Sequence, residues 1–184
     1  APWVTEFGLS ARSLALLPFF GGCSQMALSP ENVQAALDAL QTGIRIRFLE
    51  TSTATAQEAA ESIGTSQGSI VKSLCFLIAG EPILVLAAGD RKVSDRALAA
   101  HYGVSRKQVR LADAETTLHV TGYAPGGVPP IGHAQPLPIL IDASLARFET
   151  LYAAAGSPHA IFPISYEELV RITQGHVLPL TEGA

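Results

Sequence analysis

Chemistry in this sequence would rest on a lysine and a loop. Lys72 lies in Ser69-Ile-Val-Lys-Ser-Leu-Cys-Phe-Leu-Ile78, where every near neighbour suits a buried strand. Lysine is among the residues least often buried without a partner. Lys72 is therefore read either as a strand-edge residue whose ammonium reaches water, or as a cation on a pocket floor aimed at a ligand phosphate or hydroxyl. Alternation puts Lys72, Leu74 and Phe76 on one face and Cys75 on the other. The loop is Thr121-Gly-Tyr-Ala-Pro-Gly-Gly-Val-Pro-Pro-Ile-Gly-His133, with four glycines and three prolines in thirteen residues. Glycine permits positive φ and close approach, and proline fixes φ and removes an N–H. Such a stretch continues neither a helix nor a central strand. It forms an ordinary surface connection, or a stiff loop whose remaining N–H groups point outward at something.

No side-chain nucleophile stands beside these features. Cys75 is mid-strand, with no His, Lys or helix start placed to lower its pKa, and reads as a small core residue. The chain has no Gly-x-Ser-x-Gly, no phosphate-binding Gly-rich Lys-Ser/Thr loop and no dinucleotide fingerprint. Asp142 and Glu149 are separate carboxylates without an evident acid–base partner. His133 and His159 read as surface histidines. The five histidines lie fourteen or more residues apart and the two cysteines, Cys23 and Cys75, make no zinc spacing. No metal and no cofactor are expected.

The elements that must position Lys72 and the loop alternate along the chain. Ser29-Pro-Glu opens a helix with Val33, Ala36, Leu37 and Leu40 on one face, ending near Gly43. Ile44 to Glu50 alternates as a half-buried strand. Thr55-Ala-Gln-Glu58 is a capping box for a helix that stops at Gly64. Ile70 to Ala79 and Ile83 to Ala88 form a hairpin about Gly80-Glu-Pro82. Ser94 caps a helix to Tyr102, Val109 to Leu111 is a short strand, and Asp113 caps a helix through Val120. After the loop come a strand at Pro138 to Asp142, a helical turn at Leu145 to Phe148, and strands at Thr150 to Ala154 and Ala160 to Ile164. Ser165-Tyr-Glu-Glu168 is a second capping box for a helix reaching Gly175, and Val177 to Leu180 closes the chain. The fold class is a single α/β domain with a mixed, largely antiparallel, curved sheet of about seven strands flanked by five helices.

Composition narrows the class. At 184 residues, 48% hydrophobic and 15% charged, the chain is globular. No apolar run approaches the roughly 20 residues needed to span a bilayer. The net charge of −4 argues against non-specific coating of nucleic acid. Between Arg91 and Arg110, however, lie six of the twelve basic residues against Asp95 alone, a window of +5 in a chain whose remainder carries −9. That window is a solvated face or a docking patch for an anionic partner. Two cysteines make no disulfide framework, so a reducing, cytoplasmic setting is expected. Residues 1–25 are expected to be a non-native or disordered extension, with Met26 as the natural start and 26–184 as the domain. A leader ending at Cys23 is the alternative.

In order and at family spacing, Ile70-Val-Lys-Ser-Leu, Gly122-Tyr-x-x-Gly-Gly-Val-x-Pro130, Leu137-Pro-Ile-Leu-Ile-Asp142 and Tyr152-x-x-x-Gly156 resemble the YbaK/ProX family, free-standing relatives of the editing domain inserted in bacterial prolyl-tRNA synthetases. The resemblance runs from about Ser29 to Leu180. It implies a trans-editing deacylase that hydrolyses the ester of a mischarged tRNA at its 3′ acceptor end. The family lysine matches Lys72 and is thought to hold the terminal adenosine or its phosphate. The family's Gly-x-x-x-Pro loop matches Gly126 to Pro130. The resemblance makes Lys72 the anchor and the N–H groups of Gly126, Gly127 and Val128 the oxyanion and substrate clamp, while Ala154 and Gly156 line the substrate side. An ester is already activated, so positioning and aimed N–H groups suffice without a protein nucleophile. A prolyl-tRNA synthetase is a candidate partner, and a monomer or weak homodimer is expected.

The chain departs from the family at the pocket. Where cysteine-clearing members commonly carry Ser before the final Pro of the loop, this chain has Pro129, and Ala154 stands where a small polar residue is frequent. Two hydroxyls fewer put cysteine in doubt and leave serine, threonine and alanine esters open. Water or a substrate group remains open as the attacking nucleophile. The rival readings are a non-catalytic module binding the tRNA acceptor end and a small-molecule-binding domain unrelated to tRNA.

Overall fold

The computed structural model describes residues 27–182. The expected extension over 1–25 and the expected natural start at Met26 lie outside the described residues. Helix α1 (Pro30–Ala39) starts at Ser29 with proline at its first turn and buries Val33 and Leu37. The strand expected over 44–50 shrinks to β1 (Arg47–Phe48), both of whose residues are exposed. The reason is Gln34 of α1. Its side chain donates to the Ile44 carbonyl and accepts from the Ile46 N–H, at 3.0 Å each, so these peptide groups need no neighbouring strand. Ile44 and Ile46 still pack on the core. The alternation was real, but a glutamine replaced the ladder.

Helix α2 (Ala56–Ile63) carries the complete capping box of Thr55 and Glu58 and ends on Gly64 in the left-handed region. A 3-10 turn leads into β2 (Ile70–Ile78), which pairs along its length with β3 (Glu81–Ala88). Ala79 and Gly80 make the connection, both at positive φ, the two-residue hairpin turn that matches strand twist. Alternate residues of β3 feed different cores. Leu84, Leu86 and Ala88 face one cluster, and Ile83, Val85 and Ala87 face the other. Burial on both faces explains why this strand reads as a continuous apolar run. Truncating Leu84 or Leu86 to alanine would cost about 2–5 kcal/mol.

Strand β4 (Lys92–Val93), helix α3 (Asp95–Tyr102, capped by Ser94), strand β5 (Val109–Leu111) and helix α4 (Ala114–Thr121, capped by Asp113) follow. Beyond the loop lie β6 (Ile139–Asp142), a 3-10 turn over Ala143–Arg147, β7 (Thr150–Ala154), β8 (Ala160–Ser165), α5 (Tyr166–Thr173), β9 (His176–Leu178) and β10 (Thr181–Glu182). The second capping box is half made. Ser165 Oγ accepts from the Glu168 N–H, but the Glu168 carboxylate turns to Arg171 instead of back to the cap. Gln174, not Gly175, takes the left-handed position. Gly175 instead packs closely on Ile141, whose Cδ1 would lie 2.6 Å from a Cβ there.

The main sheet has eight strands in the order β1-β8-β7-β2-β3-β6-β9, with β5 also on β2; β4 and β10 form a separate pair that sequence reading did not foresee. Four of the seven main-sheet pairings are antiparallel, β1 with β8, β7 with β8, and β2 with β3 and β5. Those of β2 with β7, β3 with β6 and β6 with β9 are parallel. The α/β class with a mixed sheet and five helices stands, with eight strands in the sheet in place of about seven.

Candidate functional site

Strand β2 has a gap along one edge. Opposite β3 it pairs with β7 only at Ile70 and Val71, and with β5 only from Phe76 to Ile78. The Gly89 N–H donates to the Ile70 carbonyl at 2.8 Å, which fixes the alternation of the strand. Peptide groups of Ile70, Lys72 and Leu74 point at β3, and those of Val71, Ser73 and Cys75 point at the other edge. In agreement, the Cys75 carbonyl accepts from Ala112 N at 2.9 Å on that side. Between the two partners, Lys72, Ser73 and Leu74 border a cavity of about 490 Å³. Its facing walls are Thr53 to Gln57 at the start of α2, Gly126 and Val128 of the loop, and Tyr152 and Ala154 of β7.

Lys72 is half-buried, and its ammonium donates to the Arg91 carbonyl at 2.5 Å. Burial lowers its pKa below the ordinary lysine value, opposed by the nearby Asp90 carboxylate. Asp90 is itself held by Arg147 through paired contacts of 2.8 and 3.1 Å, which keep its carboxyl below the usual range. One N–H of the ammonium is spent on Arg91, so the others remain for a ligand.

The loop is a built structure, buried from Gly127 to Ile131. Tyr123 is its post, 1% exposed, with its hydroxyl donating to the Gly132 carbonyl at 2.9 Å and its pKa pushed up to about 12 by burial. Gly127 N–H donates to the Ala124 carbonyl at 3.1 Å and closes a turn, while the Gly127 carbonyl accepts from Gly156 N–H at 2.9 Å. Gly126 has φ +89°, and a Cβ there would lie 3.0 Å from the Ala54 carbonyl oxygen. Gly156 has φ +92°, and its Cβ would lie 3.0 Å from the Tyr123 ring. Both positions combine a conformation disfavoured by side chains with close approach. The N–H groups of Gly126 and Val128 have no acceptor among the described residues.

Of the residues expected at the site, Lys72, Gly126, Val128 and Ala154 line this cavity. Gly127 and Gly156 stand behind it, bonded to each other. Pro130 faces a separate cavity with His133, Ala36 and Ile172. Of the three N–H groups expected to form a clamp, that of Gly127 is committed to its turn, and those of Gly126 and Val128 have no acceptor among the described residues. Asp142 is buried and accepts from Leu180 N at 2.8 Å and from Thr181 N at 3.1 Å, so it anchors the end of the chain. Cys75 is buried and burial raises its pKa, as fits a core thiol. His133 lies part-buried behind the loop, with Nε2 2.7 Å from the Pro129 carbonyl. His159 is exposed. Lys92, Arg96, Arg106, Lys107 and Arg110 of the basic window are exposed, and no ion pair with a described residue engages them. No helix is long and apolar enough to cross a membrane, and no group of three His, Cys, Asp or Glu side chains suited to a metal occurs among the described residues.

Sequence reading missed Ser73, Gln67, Gly89 and the Thr53–Ala54 wall. Thr55 was legible as a cap, but nothing local says that a helix start faces a lysine sixteen or more residues later. Gly89 did carry a signal, since glycine ending an apolar strand often marks close approach. A Cβ there would meet the Gln67 carbonyl at 2.3 Å.

Comparison with known proteins gives this geometry a lineage. Residues 50–172, which contain β2, the loop and β7, match the model of the aminoacyl-tRNA editing domain. The chain is 38% identical over 121 residues to the uncharacterized protein YwhH of Bacillus subtilis (strain 168), spanning 65% of this chain and 75% of that one. It is 34% identical over 96 residues to a proline–tRNA ligase of Limosilactobacillus fermentum, spanning 50% of this chain but only 16% of the ligase. The fold superposes on the crystal structure of a proposed trans-editing enzyme for prolyl tRNA synthetase with a TM-score of 0.78 and 36% identity, covering 85% of this chain and all (100%) of that one. With the family match covering the strand, the loop and the cavity between them, this chain belongs to the aminoacyl-tRNA editing domain family.

Proposed function

We propose that this protein is a trans-editing deacylase that hydrolyses the ester joining a non-cognate amino acid to the 3′ end of a tRNA. The observation that carries the reading is the pairing, across one cavity, of a part-buried lysine with a backbone wall whose Gly126 and Val128 N–H groups are free. Lys72 anchors the terminal adenosine or its phosphate with its remaining ammonium protons. The two N–H groups receive the ester carbonyl oxygen as it becomes an oxyanion, where aimed donors act most strongly. Water, or a nucleophilic group of the substrate itself, adds to the carbonyl carbon. The bond to the ribose oxygen then breaks, and that oxygen leaves with a proton.

The substrate pool is Cys, Ala, Ser or Thr on a non-cognate tRNA such as tRNA-Pro; Ala154 on the cavity wall supplies no hydroxyl, which speaks against cysteine, and Pro129 does not line the cavity. An apolar wall separates near-isosteres by only about 1–3 kcal/mol per methylene. The exposed cations between Lys92 and Arg110 supply a face for the tRNA backbone or for a synthetase-bound tRNA. The test is deacylation of Cys-, Ala-, Ser- and Thr-charged tRNAs by the wild type and by Lys72→Ala. Hydrolysis of at least one ester that Lys72→Ala fails to hydrolyse supports the reading. Binding of charged tRNA without turnover would replace it with that of a non-catalytic module.

A further inference from the structure

We infer that Ser73 is a substrate-contacting residue whose carbonyl and hydroxyl oxygens receive the α-amino group of the bound aminoacyl ester. The inference deepens the proposed function and rests on it for the identity of the ligand.

Among the described residues, two buried side-chain polar atoms lack any hydrogen-bond partner, Ser73 Oγ and Arg91 Nε. Both adjoin Lys72. Ser73 follows it in β2, and the Arg91 carbonyl accepts its ammonium. Buried polar atoms are satisfied in the great majority of cases, so an orphan beside a cavity calls for a partner from outside the chain. Ser73 lacks more than a side-chain partner. Its peptide group points away from β3, at the edge where β7 has already left and β5 has not yet arrived. The pairing with β7 ends at Val71 and that with β5 begins at Phe76, so neither ladder takes the N–H or the carbonyl of Ser73. A strand edge that presents unpaired groups is a template for a ligand.

The ligand group is selected by position and by the acceptor count. Ser73 pairs with Leu86, whose side chain lies in the same cluster as Val128, so Ser73 and the Val128 wall share one side of the sheet. Lys72 leaves the opposite face of β2, so with the adenosine held there the α-carbon of an ester clamped at Gly126 and Val128 is the substituent directed to the Ser73 side. The group on that carbon common to every aminoacyl ester is an amine, and it donates up to three N–H bonds when protonated. Ser73 offers a carbonyl and, after a side-chain rotation, a hydroxyl oxygen as acceptors. Ile70, Val71 and Leu74 beside it are apolar, and the polar side chains of the cavity, Thr53, Thr55, Gln57, Gln67 and Tyr152, stand on its other walls.

The test uses adenosine derivatives in which a 3′-amide replaces the hydrolysable ester, carrying alanyl, seryl or propionyl groups, the last lacking the amine. Binding is measured by calorimetry to the wild type and Ser73→Ala, alongside deacylation kinetics and thermal unfolding. The wild type should bind the alanyl amide about ten- to a hundredfold more tightly than the propionyl amide. Ser73→Ala should weaken the alanyl and seryl amides alike and leave the propionyl amide unchanged. Its unfolding temperature should stay level or rise, because a hydroxyl without a partner contributes nothing to the free fold. An unchanged alanyl-to-propionyl ratio, or a loss confined to the seryl amide, overturns the inference while leaving deacylation intact as a separate result. Failure of the wild type to bind any of the amides also overturns it. Conversely, wild type that discriminates the amine but deacylates no charged tRNA would retain the contact and refute the deacylase.

Discussion

The Gly/Pro loop divides two cavities of similar size, about 490 Å³ on the Lys72 side and about 520 Å³ on the His133 side. They differ in what their walls leave unpaired. On the Lys72 side the ammonium has protons to spare, the Gly126 and Val128 N–H groups are free and Ser73 is unsatisfied. On the His133 side the histidine ring meets the Pro129 carbonyl and Tyr123 holds the Gly132 carbonyl, while the Ile131 and Gly132 N–H groups have no acceptor among the described residues. Volume therefore does not distinguish site from scaffold here. Nor do free backbone N–H groups, which occur on both walls; the Lys72 side is set apart by a part-buried ammonium and an unsatisfied hydroxyl, and a buried polar group without a partner costs the free protein stability and rewards whatever ligand supplies one.

The largest effect should come from the loop itself. Gly126→Val forces a branched side chain onto φ +89° and against the Ala54 carbonyl, 3.0 Å from a Cβ. Deacylation should fall at least about a hundredfold, since an ångström of misplacement suffices for that. The fold should survive with a stability loss of about 1–3 kcal/mol, checked by circular dichroism and denaturant titration. An active Gly126→Val protein would break the contrast between the two walls.

Lys72→Met should come next, with loss of most activity and an opposite effect on stability. Burial lowers the Lys72 pKa below 10.5, so the unfolded chain binds the proton more tightly than the fold does. Stability then rises with pH across the window between the lowered value and 10.5, and the charge is a burden below it. Lys72→Met should match or exceed the wild-type unfolding temperature at pH 7, and the difference should shrink as pH climbs through that window.

On the scaffold side, Tyr123→Phe removes the bond to Gly132. It should cost about 1 kcal/mol of stability and more, with deacylation falling only a few-fold. The smallest effect belongs to His133→Gln. Burial lowers the His133 pKa, outweighing its bond to the Pro129 carbonyl. Its neutral form is favoured in the fold, so stability is lost as pH falls through 6.5 toward the lowered value. The substitution should flatten that acid limb of the unfolding-temperature profile and leave deacylation at pH 7.5 within about threefold. A large activity loss at His133 would show that both sides of the loop serve the reaction.

Caps and turns were legible because their signals are local. Thr55 with Glu58, Ser94 and Asp113 cap the helices that their spacing predicts. The hairpin of β2 and β3 followed from apolar runs around a glycine turn. The strand at 44–50 was misread because its peptide groups found Gln34, a partner ten and twelve residues away that no periodicity reports. The N–H of Gly127 was counted as available because sequence says that a residue can donate, not whether its donor is already used.

The sequence by itself determined the α/β class, the oddity of Lys72 among apolar neighbours and the stiffness of the loop from Gly122 to Gly132. These follow from propensity, alternation and the backbone limits of glycine and proline. Only the tertiary structure decided that β7 and β5 leave a gap on β2, that the gap opens beside Ser73, and that the loop turns Gly126 and Val128 toward it and Pro130 away. Which polar groups remain unpaired depends on where distant strands begin and end against one another, and that is settled by packing over the whole domain rather than by any local stretch of chain.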